Sequence, residues 1–443
     1  MTLFPIASIA GCVSLPAVTL LDTSAILLSL AAVFGYINHR VFKLPNSIGI
    51  MLIGLVASLV LLLFGQGWPW LSEGAEAFVA QIDFDKAVME VMLSFLLFAG
   101  ALHVNLDDLR QQKWVVAILA SMGLVVSTFL VGSVSWLVFR ACGIEVPYQW
   151  CLVFGALISP TDPVAVLGIL KKAGVPKSLE TKITGESLFN DGVGVVVYLV
   201  LVGVAAGTTE ATAGGIGLLF LEEVGGGVLL GLLLGAIAYW MLKTIDNYQI
   251  EILITLALVV GGYQLASFWH FSGPLAMVVA GLMIGNQGRL LAMSQQTRKH
   301  LDMFWELIDE LLNALLFLLI GLEIFILAWS GQAIVAGLIM IFVVLASRFA
   351  ATSLPVAILR KKKEFSPGVR RILTWGGLRG GISVALALAL PRESLDEGAR
   401  QAILIATYFV VIFSIAIQGL TLSSLVNRLM KRNEVPAVDS PVA

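Results

Sequence analysis

Between Glu186 and Asp191 the sequence reads Glu-Ser-Leu-Phe-Asn-Asp, inside a long apolar segment that runs from Thr184 to Val197 and beyond. A segment that crosses a bilayer must be helical, because hydrocarbon offers nothing to bare backbone groups. On a helix Glu186 and Asn190 share one stripe, Ser187 and Asp191 the next, and all four side chains project toward one side. Carboxylates at membrane depth cost a few kcal/mol or more and usually line an ion or proton path. Pairing as glue between helices is the competing reading, and this density of polar groups argues against it. The site so formed supplies only oxygens, which is what a small hard cation requires. Burial disfavours a charged carboxylate, so a proton and a cation would compete for the same atoms.

Three further groups belong with this stretch. Ser159-Pro160-Thr161-Asp162-Pro163 falls in the middle of another apolar segment. Its two prolines remove backbone donors, and Thr161 and Asp162 can bond local backbone instead. A break in the helix at membrane depth is expected there. Gly376-Gly377-Leu378-Arg379-Gly380-Gly381 predicts a second break, made by glycine freedom. Arg348 and Arg379 both lie inside apolar segments. Arginine cannot shed its proton, so each needs a fixed partner or water.

The elements that position these groups follow from composition. The chain has 443 residues, 58% hydrophobic and 13% charged, with a mean hydropathy of +0.95. Soluble proteins carry about 25% charged residues, so this is an all-α polytopic membrane protein. Apolar segments at 24–42, 45–64, 84–103, 115–139, 148–170, 181–206, 216–242, 249–269, 273–288, 304–328, 332–359, 368–390 and 402–427 predict about 13 transmembrane helices. The breaks then fall in the fifth and twelfth. If the first six and last six spans are inverted repeats, these two correspond, and paired interrupted spans mark a transporter's binding site. Residues 1–23 form an apolar segment of unassigned role without the basic start of a signal peptide.

Orientation follows from lysine and arginine. With the first span crossing inward, 21 of the 27 fall on the cytoplasmic side, including Lys361-Lys362-Lys363 and the 428–443 tail. That places the C-terminus in the cytoplasm of a cell (inner or plasma) membrane. The first outer loop is acidic and aromatic, with Trp68, Trp70, Glu73, Glu76 and Asp83. Three cysteines form no CxxC pair, and there is no HExxH, Walker loop or complete GxGxxG. An enzyme is not expected. An organic-anion carrier on the same broken-helix plan, with Arg379 holding a carboxylate, is the alternative, and the clustered acids oppose it. Gly231-x-x-x-Gly235 fits a helix-contact face between or within subunits. Glu306, Asp309 and Glu310 read as a solvated helix end, and Glu251 and Glu323 as structural.

Thr161-Asp162-Pro163-Val164-Ala165-Val166, followed by Gly185-Glu186-Ser187-Leu188-Phe189-Asn190-Asp191-Gly192, resembles the sodium/proton antiporters of the first cation:proton antiporter family, the branch of bacterial NhaP and animal NHE exchangers. Arg348, Gly376-Gly377-Leu378-Arg379-Gly380 and Phe304-Trp305-Glu306-Leu307 with Asn313 and Phe317 also match. The resemblance covers about 24–427. It implies a core at approximately 115–206 and 332–427, a dimerisation part at approximately 24–103 and 216–328, a homodimer in membrane lipid, no cofactor and no nucleic acid. It implies that sodium (or lithium or potassium) and protons are the substrates, exchanged one for one without net charge. The cation would be held by Asp191, Asp162, Ser187 and Thr161, with Asn190 supporting the geometry. Glu186 and Arg348 would form a structural ion pair, and Arg379 would lie by the second break. The third span departs from the family pattern at Leu97-Phe98-Ala99-Gly100, so no contribution from Glu90 is expected. The long regulatory tail of the animal branch is not expected.

Overall fold

A computed structural model describes residues 20–64, 92–162, 166, 170, 175–209, 212–323, 327–359 and 368–431. The expectations for residues 1–19, the first outer loop with Glu90, Pro163 to Ala165, Lys171, Lys172, Lys361 to Lys363 and the tail beyond 431 lie outside the described residues.

Helices occupy every segment read as a span. They are α1 (Leu21–Phe42), α2 (Asn46–Phe64), α3 (Leu93–Leu102), α4 (Leu106–Ala141), α5 (Tyr148–Ile158), α6 (Lys177–Ala205) and α7 (Ala213–Thr244). There follow α8 (Tyr248–Phe268), α9 (Gly273–Met283), α10 (Gln295–Glu323), α11 (Gly331–Leu359), α12 (Val369–Trp375), α13 (Gly381–Leu388) and α14 (Glu397–Leu429). Among the described residues 7 helices are long and apolar enough to cross a membrane by length and composition.

Polar caps set the helix starts. Asn105 accepts the Asp107 and Asp108 N–H groups at the start of α4, and Asn247 does the same for Gln249 and Ile250 at α8. Asp396 caps α14 through Gly398 and Ala399. Each cap satisfies donors that a helix start leaves bare. Two helices begin earlier than expected. α4 starts at Leu106 rather than near 115, and α10 at Gln295 rather than near 304. Their opening two to three turns carry Asp107, Asp108 and Arg110, and Arg298, Lys299 and Asp302. Hydropathy trims such ends because the helices continue as charged helix beyond the apolar layer.

Contacts are densest within two sets of helices, which share one hydrophobic core through α1, α2 and α10. In one, α4 lies on α5 and α11, α5 on α6, and α14 on α11 and α13. In the other, α10 lies on α2 and α3, and α9 on α3, α7 and α8. The Gly231–Gly235 face packs within the subunit: a Cβ at Gly231 would meet the Ala276 carbonyl and Val279, and one at Gly235 would meet Met283 and Ala280, all of the α9 segment. α6, at 29 residues, is roughly 44 Å long. It contacts members of both groups, with α5 on one side and α9 on the other.

Candidate functional site

α5 ends at Ile158 because Pro160 supplies no N–H to continue it, and Ser159 to Asp162 run outside helix. Ser159 Oγ donates back to the Gly155 carbonyl at 2.7 Å and lies within hydrogen-bond distance of Ser127 Oγ, at 2.9 Å. The carbonyls left bare at this helix end are those of Ser159 and Pro160. Both accept from Arg379 Nη1, the second at 2.9 Å. A guanidinium 1% exposed therefore sits at the negative end of α5.

The second break spans Gly376 to Gly380, between α12 and α13. The two breaks meet through backbone, where the Asp162 N–H donates to the Leu378 carbonyl at 2.8 Å. A π-turn in α14, Ser414–Gly419, supplies the other partners. Ser414 Oγ accepts the Arg379 N–H at 2.8 Å, and Gln418 Nε2 donates to the Trp375 carbonyl at 3.0 Å. Glycine freedom is not the reason for this break. None of its glycines has a positive φ. What they provide is room: a Cβ at Gly377 would strike the Arg348 guanidinium, one at Gly380 the Asp162 carboxylate, and one at Gly381 the side chain of Leu316. Gly380→Ala should thus displace the Asp162 carboxylate, and a cation held at that carboxylate should bind at least about tenfold more weakly, since ~1.4 kcal/mol is tenfold, measured in vesicles with the yield of assembled protein as control.

α6 delivers its polar side chains to different partners. Asn190 and Thr161 bond reciprocally, Asn190 Nδ2 to Thr161 Oγ1 at 3.0 Å and Thr161 N–H to Asn190 Oδ1 at 3.3 Å. Thr161 Oγ1 also lies 3.0 Å from Ser187 Oγ. Gly194 lets α6 lie directly on the ring of Pro160, where a Cβ has no room. Glu186, 1% exposed, accepts from Arg348 Nη1 of α11 at 2.5 Å. Asp191 takes none of these partners. It is 4% exposed, and among the described residues no side chain or backbone N–H donates to its carboxylate. It lies close enough to Asp162 and Arg379 to interact electrostatically with both.

Asp191 and half-buried Asp162 line one cavity of about 1210 Å³, together with residues of α1, α2, α3, α4, α6 and α10. Thr161, Ser187, Asn190 and Asp191 thus stand around the first break, and Arg379 bridges it to the second. Glu186 and Arg348 form a pair of their own. Three contributors escaped sequence reading, Ser127, Ser414 and Gln418, whereas Asn313, a position that carries the family resemblance, lines the cavity from α10. The only signal of those three was polarity in apolar surroundings. Glu306, Asp309 and Glu310 are more than a solvated helix end, because they too line the cavity. Glu251 is fully buried near the start of α8, away from this cavity.

With this geometry in hand, comparison with known proteins places the chain. The model of the transmembrane sodium/hydrogen exchanger family matches residues 28–428. The Na(+)/H(+) antiporter NhaP of Pseudomonas aeruginosa is 47% identical over 419 residues, 93% of this chain and 97% of that protein. The Na(+)/H(+) antiporter NhaH of Halobacillus aidingensis is 35% identical over 395 residues, 88% and 93% of the two chains. In fold the chain is similar to the sodium proton antiporter MjNhaP1 of Methanocaldococcus jannaschii, with a TM-score of 0.71 at 20% identity over 92% of this chain and 97% of that one.

Proposed function

The chain belongs to the transmembrane sodium/hydrogen exchanger family, and from that premise we propose that it exchanges one sodium ion for one proton across the cell membrane, at Asp191 and Asp162. The observation that carries this is the unlike fate of two acids on one helix. Glu186 is bonded to Arg348, whereas Asp191, equally buried, faces the cavity with no donor. A buried carboxylate without a partner is costly, and a cation or a proton relieves that cost equally well. Lithium and potassium differ from sodium only in size, so the same oxygens admit them.

Thr161 and Ser187 complete the ligand set, and Asn190 fixes Thr161 for that role. Arg379 holds the end of α5 in place. The chain's own charges then set the stoichiometry. Glu186, Asp162 and Asp191 bring three negative charges, and Arg348 and Arg379 bring two positive ones. One sodium ion or one proton neutralises the remainder, so these five groups carry no net charge in either half of the cycle. An organic anion would be repelled by the same remainder.

Alternating access follows if the group of α4–α6 and α11–α14 carries the ion past α1–α3 and α7–α10. The cavity is bordered by Lys177, Asn46 and His103, at helix ends that the distribution of lysine and arginine assigns to the cytoplasm. In this reading the site faces inward and the C-terminus is cytoplasmic. The subunit works as a homodimer through the second group, in which α7 leaves most of its apolar window uncovered within one protomer, 22% of it being buried.

The test is proton efflux reported by a dye in everted vesicles, with each chloride salt added in turn. Sodium should collapse the gradient and sodium-free organic carboxylates should not; the reverse would favour the anion carrier. A potassium–valinomycin potential should leave the sodium-driven rate within about twofold, because a net charge crossing 100 mV would gain about 2.3 kcal/mol. Strong acceleration would mean that a second carboxylate carries charge through the cycle.

A further inference from the structure

Asp309 lies on α10, on the wall of the cavity facing the broken helices, and nothing in the exchange scheme above uses it. Asp309, Asn313 and Leu316 are spaced four and three apart and share one face of α10. The position of that face is fixed at its far end. Leu316 fills the space beside Gly381, and the adjoining Gly380 packs against the Asp162 carboxylate. Asn313, 2% exposed, donates from Nδ2 to the Asp309 carbonyl at 2.8 Å and lines the same cavity. Asp309 is half-buried and close enough to Asp162 for their charges to interact. Asp162 interacts in turn with Asp191, the unpartnered carboxylate 4% exposed that lines this cavity.

We propose that Asp309 is a third carboxylate of the ion path, a loading ligand on α10 that holds the entering monovalent cation beside Asp162 before it passes to Asp191. The inference rests on the exchange reading above and adds a step to it. Two half-buried carboxylates lining the same cavity repel each other, and a cation between them removes the repulsion. They also stand on different packing groups. A cation loaded between them is held only while the site faces this cavity, since α10 stays behind when the core moves. Glu306 and Glu310 line the cavity as well, but they are exposed. Solvent and salt screen them, so they should contribute to general attraction only.

The experiment measures sodium-driven proton movement from each side of the membrane in oriented vesicles at about 150 mM ionic strength. Asp309→Asn should raise the sodium KM on the cavity side by about fivefold or more, the weight of one partly screened charge pair. The maximal rate and the KM on the far side should stay within about twofold, and Asp309→Glu should restore the cavity-side KM. Glu306→Gln and Glu310→Gln should each change it by less than twofold. Asp309→Cys provides a variant that does not depend on how asparagine packs: reaction with a sulfonate-bearing thiosulfonate should lower the raised KM, and reaction with a neutral one should not. An unchanged cavity-side KM would overturn the proposal. So would equal rises on both sides, or equal rises for all three acids, which would mark a structural or a diffuse electrostatic role. Absence of sodium-driven exchange in the unsubstituted protein would instead overturn the exchange reading itself.

Discussion

Asp191→Asn should abolish sodium-driven proton movement while leaving the protein folded and inserted. The substitution keeps the shape of the side chain and removes both its charge and its protonation site. It breaks no existing bond, because among the described residues none donates to the Asp191 carboxylate. The core would then hold Glu186 and Asp162 against Arg348 and Arg379, with no charge remaining for a cation to neutralise. A loss of roughly 100-fold or more is expected, equivalent to ~2.7 kcal/mol of cation–carboxylate interaction. Asp162→Asn should give a similar loss, since the bond that joins the two breaks is made by the Asp162 backbone N–H and survives the change. Everted vesicles with a pH-sensitive dye measure the rate, and gel filtration of the detergent-solubilised variant checks the fold. If vesicles holding Asp191→Asn still lose their pH gradient on adding sodium, the assignment of the site is wrong.

Much of this arrangement was legible in the residues, for physical reasons that can be named. Apolar runs of spanning length mark helices because the bilayer leaves the backbone no other option. Pro160 ends α5 through chemistry that needs no tertiary context. A buried Arg348 needs a carboxylate, and it reaches Glu186 across 162 positions of sequence. What was not legible depended on packing. The glycines of the second break read as conformational freedom, yet they serve as room for Arg348, Asp162 and Leu316. Gly231 and Gly235 carry a motif that says two helices approach without saying which, and here the partner is α9 of the same chain. Ser414 and Gln418 are four apart in an apolar helix, a spacing shared by many inert pairs, and only the π-turn and the nearby break give them roles. Asp309 read as one solvated charge among three because Glu306 and Glu310 beside it are exposed, although they too line the cavity. The face of α10 that Leu316 sets against Gly381 separates them.

Loss of either member of the Glu186–Arg348 pair should destabilise the fold rather than remove the ion site. The two side chains come from α6 and α11, at 2% and 7% side-chain exposure, and are joined by a contact of 2.5 Å. Desolvating two charges roughly offsets their attraction, so the intact pair contributes little net stability, whereas orphaning one buried charge costs on the order of 3–5 kcal/mol. Glu186→Ala leaves Arg348 facing Arg379 with no counter-charge of its own, and the two guanidiniums already interact. Arg348→Ala leaves a bare carboxylate one turn from Asn190, which holds Thr161 in place. Each single variant should show lower yield and a lower Tm in detergent. Replacing both by apolar residues that fill the same volume should recover much of the loss, because no orphan charge remains. The double variant should still show competition between sodium and protons, since Asp162 and Asp191 are intact, although misplacement of the first break will slow it. Thermal unfolding of the three variants in detergent, with exchange measured in parallel, decides the matter. A Glu186→Gln protein of undiminished stability that cannot exchange would move Glu186 from the scaffold into the ion site, and with it the charge balance on which one-for-one exchange depends.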